Sequence, residues 1–472
     1  MQNCKVLHIT THCGGGVGDT MFGYFSENKT SEHEVVILGY VLENVTKRAK
    51  ELGIPLHINK THKEIIDMIP EFDIVLIHIW NHPLMYDFLV RNELPPCRLI
   101  MWGHNSGFDA PNIYTKKVLL YPDLFVFTTP LSYETKEMKE LSYIFSGDFG
   151  GFLEVSIGRH LRKKYFYNIW STGGFDEYKN ITVNKHNGFI IGYVGTVDYA
   201  KMHPDFLQMC KEIDIPNVKF IVIGGTKEDE IEAGAKAMGM EDKFVFTGFV
   251  PDLPKYLEFF DVFGYPLAPY HYGTCDLVLQ IAMASGVVPV VLNNRMENYM
   301  VKHNKTGIIV KNKKEYVQAI KDLYNNINLR KELSDNTRKE ALERFSLEKL
   351  EREWRQIFTK VMEFPKISKN WNSGIKNITA KDVFIEALGT YAKPFIVEEV
   401  TRKTVKQVID KMEGEIEEAI KVIYDVGIRE IKDLAKNPSW QTETKGSVHN
   451  YHSYFPDDKF LLKWSELMRG KK

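Results

Sequence analysis

The apolar positions of the first 180 or so residues fall in short, nearly unbroken runs. KVLHIT (5–10), HEVVILGY (33–40), IPLHINK (54–60), DIVLIHIW (73–80), CRLIMWGH (97–104) and LFVFTTP (124–130) read as strands. Stretches near Val17–Phe25, Leu42–Leu52, His62–Met68 and Pro83–Arg91 have helical spacing. Runs of this kind, alternating with helices, predict a parallel sheet covered on both faces. The pattern restarts after residue 185. GFIIGYVG (188–195), VKFIVIGG (218–225), FVFTGFV (244–250), DVFGYPL (261–267), VVPVVLN (287–293) and TGIIV (306–310) alternate with helical segments as far as Arg344.

The expected organisation is therefore two α/β units, 1–185 and 186–350, followed by a crossover helix region at 351–375 and a helical extension at 376–472. The extension carries Phe384, Tyr391, Phe395, Tyr424, Phe460 and Trp464, aromatic residues that a disordered tail tends to lack. Residues 401–436 are expected to be helical, and a last helix is expected at 458–468. Ligands of such sheets lie beyond the carboxyl ends of the strands. With two units, the expected site is the cleft between them.

Composition narrows the partners. The chain has 61 basic and 62 acidic residues, a net charge of -1, which argues against a nucleic-acid-wrapping protein. The five cysteines, Cys4, Cys13, Cys97, Cys210 and Cys275, include no CxxC pair, so no zinc knuckle or disulfide scaffold is expected. A reducing, cytoplasmic setting follows. The N-terminus does not read as a signal peptide. No run reaches the ~18 apolar residues that span a bilayer, so any membrane contact is expected to be peripheral, at the inner face. The C-terminal helices are expected to pack on the body of the protein or to form a homodimer contact.

Four motifs carry candidate chemistry. Gly14, Gly15 and Gly16 follow the first strand at a helix N-terminus, where bare amides and the helix dipole favour a negatively charged group. The spacing fits neither GxGxxG nor a P-loop. His104, in Gly103–Gly107 after another strand, is placed to donate a hydrogen bond to a ligand hydroxyl or a leaving-group oxygen. His78 and His82 flank Trp80, with no nearby Cys or Glu to complete a metal set. In the second unit, Gly195, Thr196 and Lys201 follow the first strand, Gly225 ends the next, and Gly248 lies in the third. A loop with Gly273 and Thr274 then opens a helix whose first turn is expected to hold Asp276.

These residues resemble glycosyltransferases of the GT-B fold, specifically the retaining family 4 (group 1), over residues 4–362. The resemblance rests on Ala282-Met283-Ala284-Ser285-Gly286 with Pro289-Val290-Val291. It is supported by Phe246–Val250, Asp261-Val262-Phe263 and Thr306–Val310. It implies two Rossmann-like domains facing across a cleft. A nucleotide-diphosphate sugar would be held mostly by the second domain, with no bound cofactor and no metal. The acceptor would be a saccharide, lipid-linked or small molecule. His104 would approach the transferred sugar, while Lys201 and the Gly14–Gly16 amides would approach the phosphates. Three places depart from the family pattern. Ile281 and Gly273 stand where the family has paired glutamates, and Thr196 where it has an arginine. An isoleucine cannot accept the ribose hydrogen bonds. Asp276, Asp198 and Arg295 are the candidate replacements. The departures keep open a second reading, a non-catalytic GT-B protein that stabilises an active partner, and a third, a phosphorylase or sugar-nucleotide epimerase.

Overall fold

The computed structural model of the protein describes residues 4–28, 30–141, 151–157, 162–184, 186–271, 273–371, 377–436, 440 and 442–469. Two compact units are present. The first comprises Met1–Gly173, Leu347–Lys411 and Ser439–Lys472; the second comprises Gly174–Ser346 and Met412–Pro438. The helical extension is thus divided, with 376–411 and 439–472 in the first unit and 412–438 in the second.

The first unit is built on strands β1 (Cys4–Thr10), β2 (Ser31–Ile37), β3 (Leu56–Ile58), β4 (Ile74–Ile79), β5 (Glu93–Cys97), β6 (Leu99–Gly103), β7 (Leu124–Phe127), β8 (Leu153–Ile157) and β9 (Arg162–Asn168). Its sheet has the order β3-β2-β1-β4-β6-β7-β9-β8, parallel except for β8. The central strands are apolar on both faces; all six residues of β4 are buried. β8 and β9 were not anticipated, because sequences such as Arg162–Asn168 (RKKYFYN) carry no apolar run. The expected strand 97–104 begins only at Leu99. Cys97 instead ends β5, which pairs antiparallel with the strand Ile367–Asn370 and ties the returning chain to this unit.

The amphipathic helix Leu347–Met362 explains why the chain returns. Its Leu350, Trp354, Ile357, Phe358 and Val361 are buried in one cluster with Val6, Met21, Phe22, Phe25 and Trp102. Removing five large side chains from water gives on the order of 10 kcal/mol before entropy. In the extension, Phe384 and Phe395 meet edge to face at 5.2 Å, and Phe395 lies 4.8 Å from Trp464 and 5.7 Å from Trp440. These aromatics form the local core expected of an ordered appendage.

The second unit continues with β10 (Phe189–Val194), β11 (Val218–Ile223), β12 (Phe244–Phe246), β13 (Val262–Tyr265), β14 (Val288–Leu292) and β15 (Ile308–Val310). They form a parallel sheet of order β12-β11-β10-β13-β14-β15. The segment expected as one helix over 401–436 is two, Arg402–Ile423 and Ile428–Leu434. The break coincides with two contacts to a distant part of the chain. Tyr424 turns inward to donate a hydrogen bond to Asn294 Oδ1, and Asn293 Nδ2 donates to the Ile423 carbonyl at 2.8 Å.

Candidate functional site

In both units the chemistry-bearing residues gather at the carboxyl ends of the central strands. In the second unit, glycines from three strands converge. The Gly195 amide bonds the Ile223 carbonyl and the Gly224 amide bonds the Gly248 carbonyl, both at 2.9 Å. Gly224 has φ +125°, and a Cβ there would lie 1.9 Å from the Gly195 carbonyl oxygen, so no side chain fits. Gly225 adjoins Glu228, whose carboxylate accepts from the Thr226 amide at 2.7 Å. Thr196 lends its carbonyl to the Tyr193 hydroxyl at 2.8 Å.

Asp198 shapes the next turn. Its Oδ1 accepts from the Ala200 amide at 2.8 Å and its carbonyl from the Lys201 amide at 2.9 Å. This turn delivers Lys201 Nζ to 3.4 Å from Asp276 Oδ1, with each side chain only 9% exposed. Lys201 is therefore not a surface lysine. Asp276 is not inside the first turn of its helix, as expected, but is the N-cap of Leu277–Ala284, and its side chain makes no capping bond. It faces Lys201 instead, and accepts from the Tyr265 hydroxyl at 3.1 Å. Burial opposes the charge on Asp276, yet Lys201, His271 and Tyr265 outweigh it and hold the pKa below the ordinary value.

Behind this pair, His271 Nδ1 accepts from the Gly273 amide at 3.0 Å, and its Nε2 lies 3.0 Å from Glu297 Oε1. Burial disfavours charged His271, but the Glu297 carboxylate prevails and raises its pKa. His271, Asp276 and Glu297 place three ligand-type atoms within 4.8 Å of one another. Each already has a protein partner, and the Lys201 ammonium supplies positive charge beside Asp276. Neither His271 nor Glu297 was singled out from the sequence. A Cβ at Gly273 would sit 2.7 Å from His271 Nδ1 and 2.8 Å from Asp276 Oδ1, so this backbone leaves no room for a side chain there. Thr274 is buried, and Ile281 is half-buried on the helix Leu277–Ala284.

In the first unit, the helix Gly15–Glu27 starts without a side-chain cap, and Gly15 and Gly16 are exposed. Its first amides thus face outward uncapped. The Gly14 amide donates to His12 Nδ1 at 3.2 Å. His82 Nδ1 accepts from the Leu84 amide at 3.2 Å, and its Nε2 meets the Tyr454 hydroxyl at 3.0 Å. Lys445, also from the extension, lies 3.5 Å from His12 Nε2 and 5.3 Å from the Trp80 ring centre. Loss of hydration pushes its pKa down to about 8. His104 Nε2 lies 2.8 Å from His78 Nδ1. Burial and the nearby Lys445 charge push His104 down to about 3. His12, Lys445 and Tyr454 went unnoticed in the sequence, where nothing marks 445–454 except aromatic and histidine content.

Two Rossmann-like α/β domains with glycine turns at their ligand ends, plus a C-terminal helical extension, define the GT-B architecture. Residues 174–340 match the family model described as "Glycosyl transferases group 1". The 2-deoxystreptamine N-acetyl-D-glucosaminyltransferase of Streptomyces fradiae is 33% identical over 91 residues, which cover 18% of this chain and 22% of that enzyme. Spore coat protein SA of Bacillus subtilis (strain 168) is 22% identical over 365 residues, or 70% of this chain and 90% of that protein. Two solved structures share the fold. Anabaena Alr3699/HepE in complex with UDP and glucose gives a TM-score of 0.58 at 15% identity, covering 76% of this chain and 100% of that one. A glycosyltransferase from Rickettsia africae ESF-5 gives 0.59 at 13%, covering 77% and 100%.

Proposed function

We propose that the protein is a glycosyltransferase of the group 1 (family 4) kind. It would move a hexose-like sugar, with retention, from a nucleotide-diphosphate sugar to a saccharide, lipid-linked or small-molecule acceptor. The observation that carries this reading is the buried Lys201–Asp276–Tyr265 cluster beside the Gly195, Gly224 and Gly248 turns, within the segment that matches the family model. The UDP held by Anabaena HepE supports a nucleotide donor.

The second unit binds the donor in this reading, and the first supplies the acceptor side. As the bond to the sugar breaks, negative charge develops on the departing diphosphate. Lys201 stabilises that charge in a water-poor setting, and the Gly273–Thr274 loop, whose Gly273 amide is given to His271, shapes the place where it lies. The uncapped amides at Gly15 and Gly16 favour negative charge as well, while the Gly14 amide is held by His12. His104 contacts the transferred sugar. A metal is not required, because Lys201 takes the electrostatic role. No helix among the described residues is long and apolar enough to cross a membrane. Peripheral contact at the inner face of the membrane, and a homodimer through the C-terminal helices, complete the proposal.

The test is binding by calorimetry or thermal shift against a panel of nucleotides and nucleotide sugars with EDTA present, followed by a transfer assay. A single preferred nucleotide, with transfer lost in Asp276→Ala and His104→Ala, supports the enzyme. A folded protein that binds no nucleotide, with or without candidate partners, favours the second reading, a non-catalytic partner of an active glycosyltransferase. Gly273 and Ile281 favour that alternative, since neither supplies the family's carboxylate at its place.

A further inference from the structure

Four imidazoles on four neighbouring strand positions are hydrogen-bonded in series. His33 lies on β2, His8 on β1, His78 on β4, and His104 directly after β6, following the sheet order β2-β1-β4-β6. His33 Nδ1 meets His8 Nε2 at 2.8 Å. His8 Nδ1 meets His78 Nε2 at 3.0 Å, and His78 Nδ1 meets His104 Nε2 at 2.8 Å. The last two rings are stacked within 10° of parallel.

A neutral imidazole has one donor and one acceptor nitrogen. Three bonds in series therefore allow only two arrangements, all hydrogens pointing one way or all the other. Burial keeps these rings neutral: His8 and His78 lie well below the ordinary value, and His33 and His104 fall to about 3. The far end decides the direction. His33 Nε2 is buried with no hydrogen-bond partner, among the rings of Tyr24, Phe25 and Phe358. A hydrogen at His33 Nε2 would have no acceptor, whereas one at Nδ1 is accepted by His8 Nε2, so His33 Nε2 is taken as the bare nitrogen. Hydrogens then sit on the Nδ1 atoms of His33, His8 and His78, each donating onward, and His104 accepts at Nε2.

We propose that this histidine chain fixes His104 in the Nδ1–H tautomer, so that His104 acts toward ligand as a donor and never as a base. His8, His33 and His78 are positioning residues for it. The consequence for sugar transfer rests on the function proposed above; the tautomer does not.

The test is the ¹⁵N spectrum of histidine-labelled full-length protein near pH 7.5, with signals assigned by single substitutions. His8, His33, His78 and His104 are expected as Nδ1–H tautomers. His82, whose Nδ1 accepts from the Leu84 amide and whose Nε2 faces the Tyr454 hydroxyl, is expected as Nε2–H and serves as an internal control. His78→Glu replaces the donor that His104 Nε2 faces with a carboxylate, which only accepts. It should turn His104 to Nε2–H and lower kcat by about 10- to 100-fold, with donor KM nearly unchanged. His78→Gln offers an amide N–H in place of the ring donor and should retain both the tautomer and the rate. An Nε2–H His104 in the unsubstituted protein overturns the proposed direction. A His104 that gains no Nε2 hydrogen in His78→Glu overturns the dependence on the chain. If His78→Glu does not fold, the unsubstituted spectrum and His78→Gln still decide. If the tautomers are as described but no sugar is transferred, the function proposal fails and the histidine chain stands.

Discussion

At the mouth of the first sheet the polar groups are chiefly imidazoles held neutral by burial, with one ammonium, Lys445, set beside His12 by the extension. At the mouth of the second they are a buried ammonium and carboxylate, Lys201 and Asp276, backed by His271 and Glu297. The strand arrangement is closely related in the two: β3-β2-β1-β4-β6-β7 in one and β12-β11-β10-β13-β14-β15 in the other. Under the function proposed above, one topology serves two tasks. A sheet end that meets a diphosphate needs charge, and must balance that charge while empty. A sheet end that orients hydroxyl groups needs directed donors, and imidazoles fixed by their neighbours supply them without a counter-ion.

Acid should separate the two mouths most strongly. A buried histidine with a depressed pKa binds a proton more readily in the unfolded chain, so its stabilising effect is complete above about 6.5 and is lost as pH falls toward the folded value. At pH 5 that loss is about 2 kcal/mol for each imidazole that stays neutral. Several such groups together rival the 5–15 kcal/mol of a whole domain. The second unit has one comparable group, His203, lowered to about 4. Asp276, with its pKa depressed, keeps its contribution until pH falls below the ordinary carboxylate range. Hydrogen exchange at pH 7 and pH 5 should therefore show β1, β4 and β6 losing protection well before β10, β11 and β13. Equal loss would break the contrast.

Next in size is the charged pair. Lys201→Met leaves Asp276 buried without its cation and should cost about 3–5 kcal/mol in chemical denaturation. Adding Asp276→Asn should recover a large part of that cost. Independent, additive effects would mean that the two groups are not coupled.

Smaller still is the clip from the extension. Tyr454→Phe removes the hydroxyl that meets His82 Nε2 and should cost about 1 kcal/mol. Lys445→Met should leave stability nearly unchanged while raising the pKa values of His12 and His104, because the Lys445 charge helps depress both. No movement of either would place that charge elsewhere.

The sequence made the second mouth more legible than the first. Glycines after apolar strands mark turns wherever they occur, and Lys201 and Asp276 stood in such turns. Their pairing across 75 residues was not visible, because only the strand order brings β10 beside β13. The histidine chain was hidden for the same reason. His8 is separated from His33 by 25 residues and from His78 by 70, and a lone histidine in an apolar strand reads as a core residue. His104 was noticed because it ends a strand beside a glycine. β8 and β9 escaped because charged residues interrupt their apolar pattern. The break between the two helices before Leu434 escaped because it depends on Asn293 and Asn294, far away in the chain.

The role assigned to the second mouth is tested most directly by hydrogen exchange on the intact protein. The exchange would be followed with and without each common nucleoside diphosphate at saturating concentration, in EDTA. Protection concentrated in Gly195–Lys201 and Gly273–Leu279 with one nucleotide, and lost in Lys201→Met, is the expected result. No protection there with any nucleotide, or protection that survives the loss of Lys201, would contradict a donor site at Lys201 and Asp276.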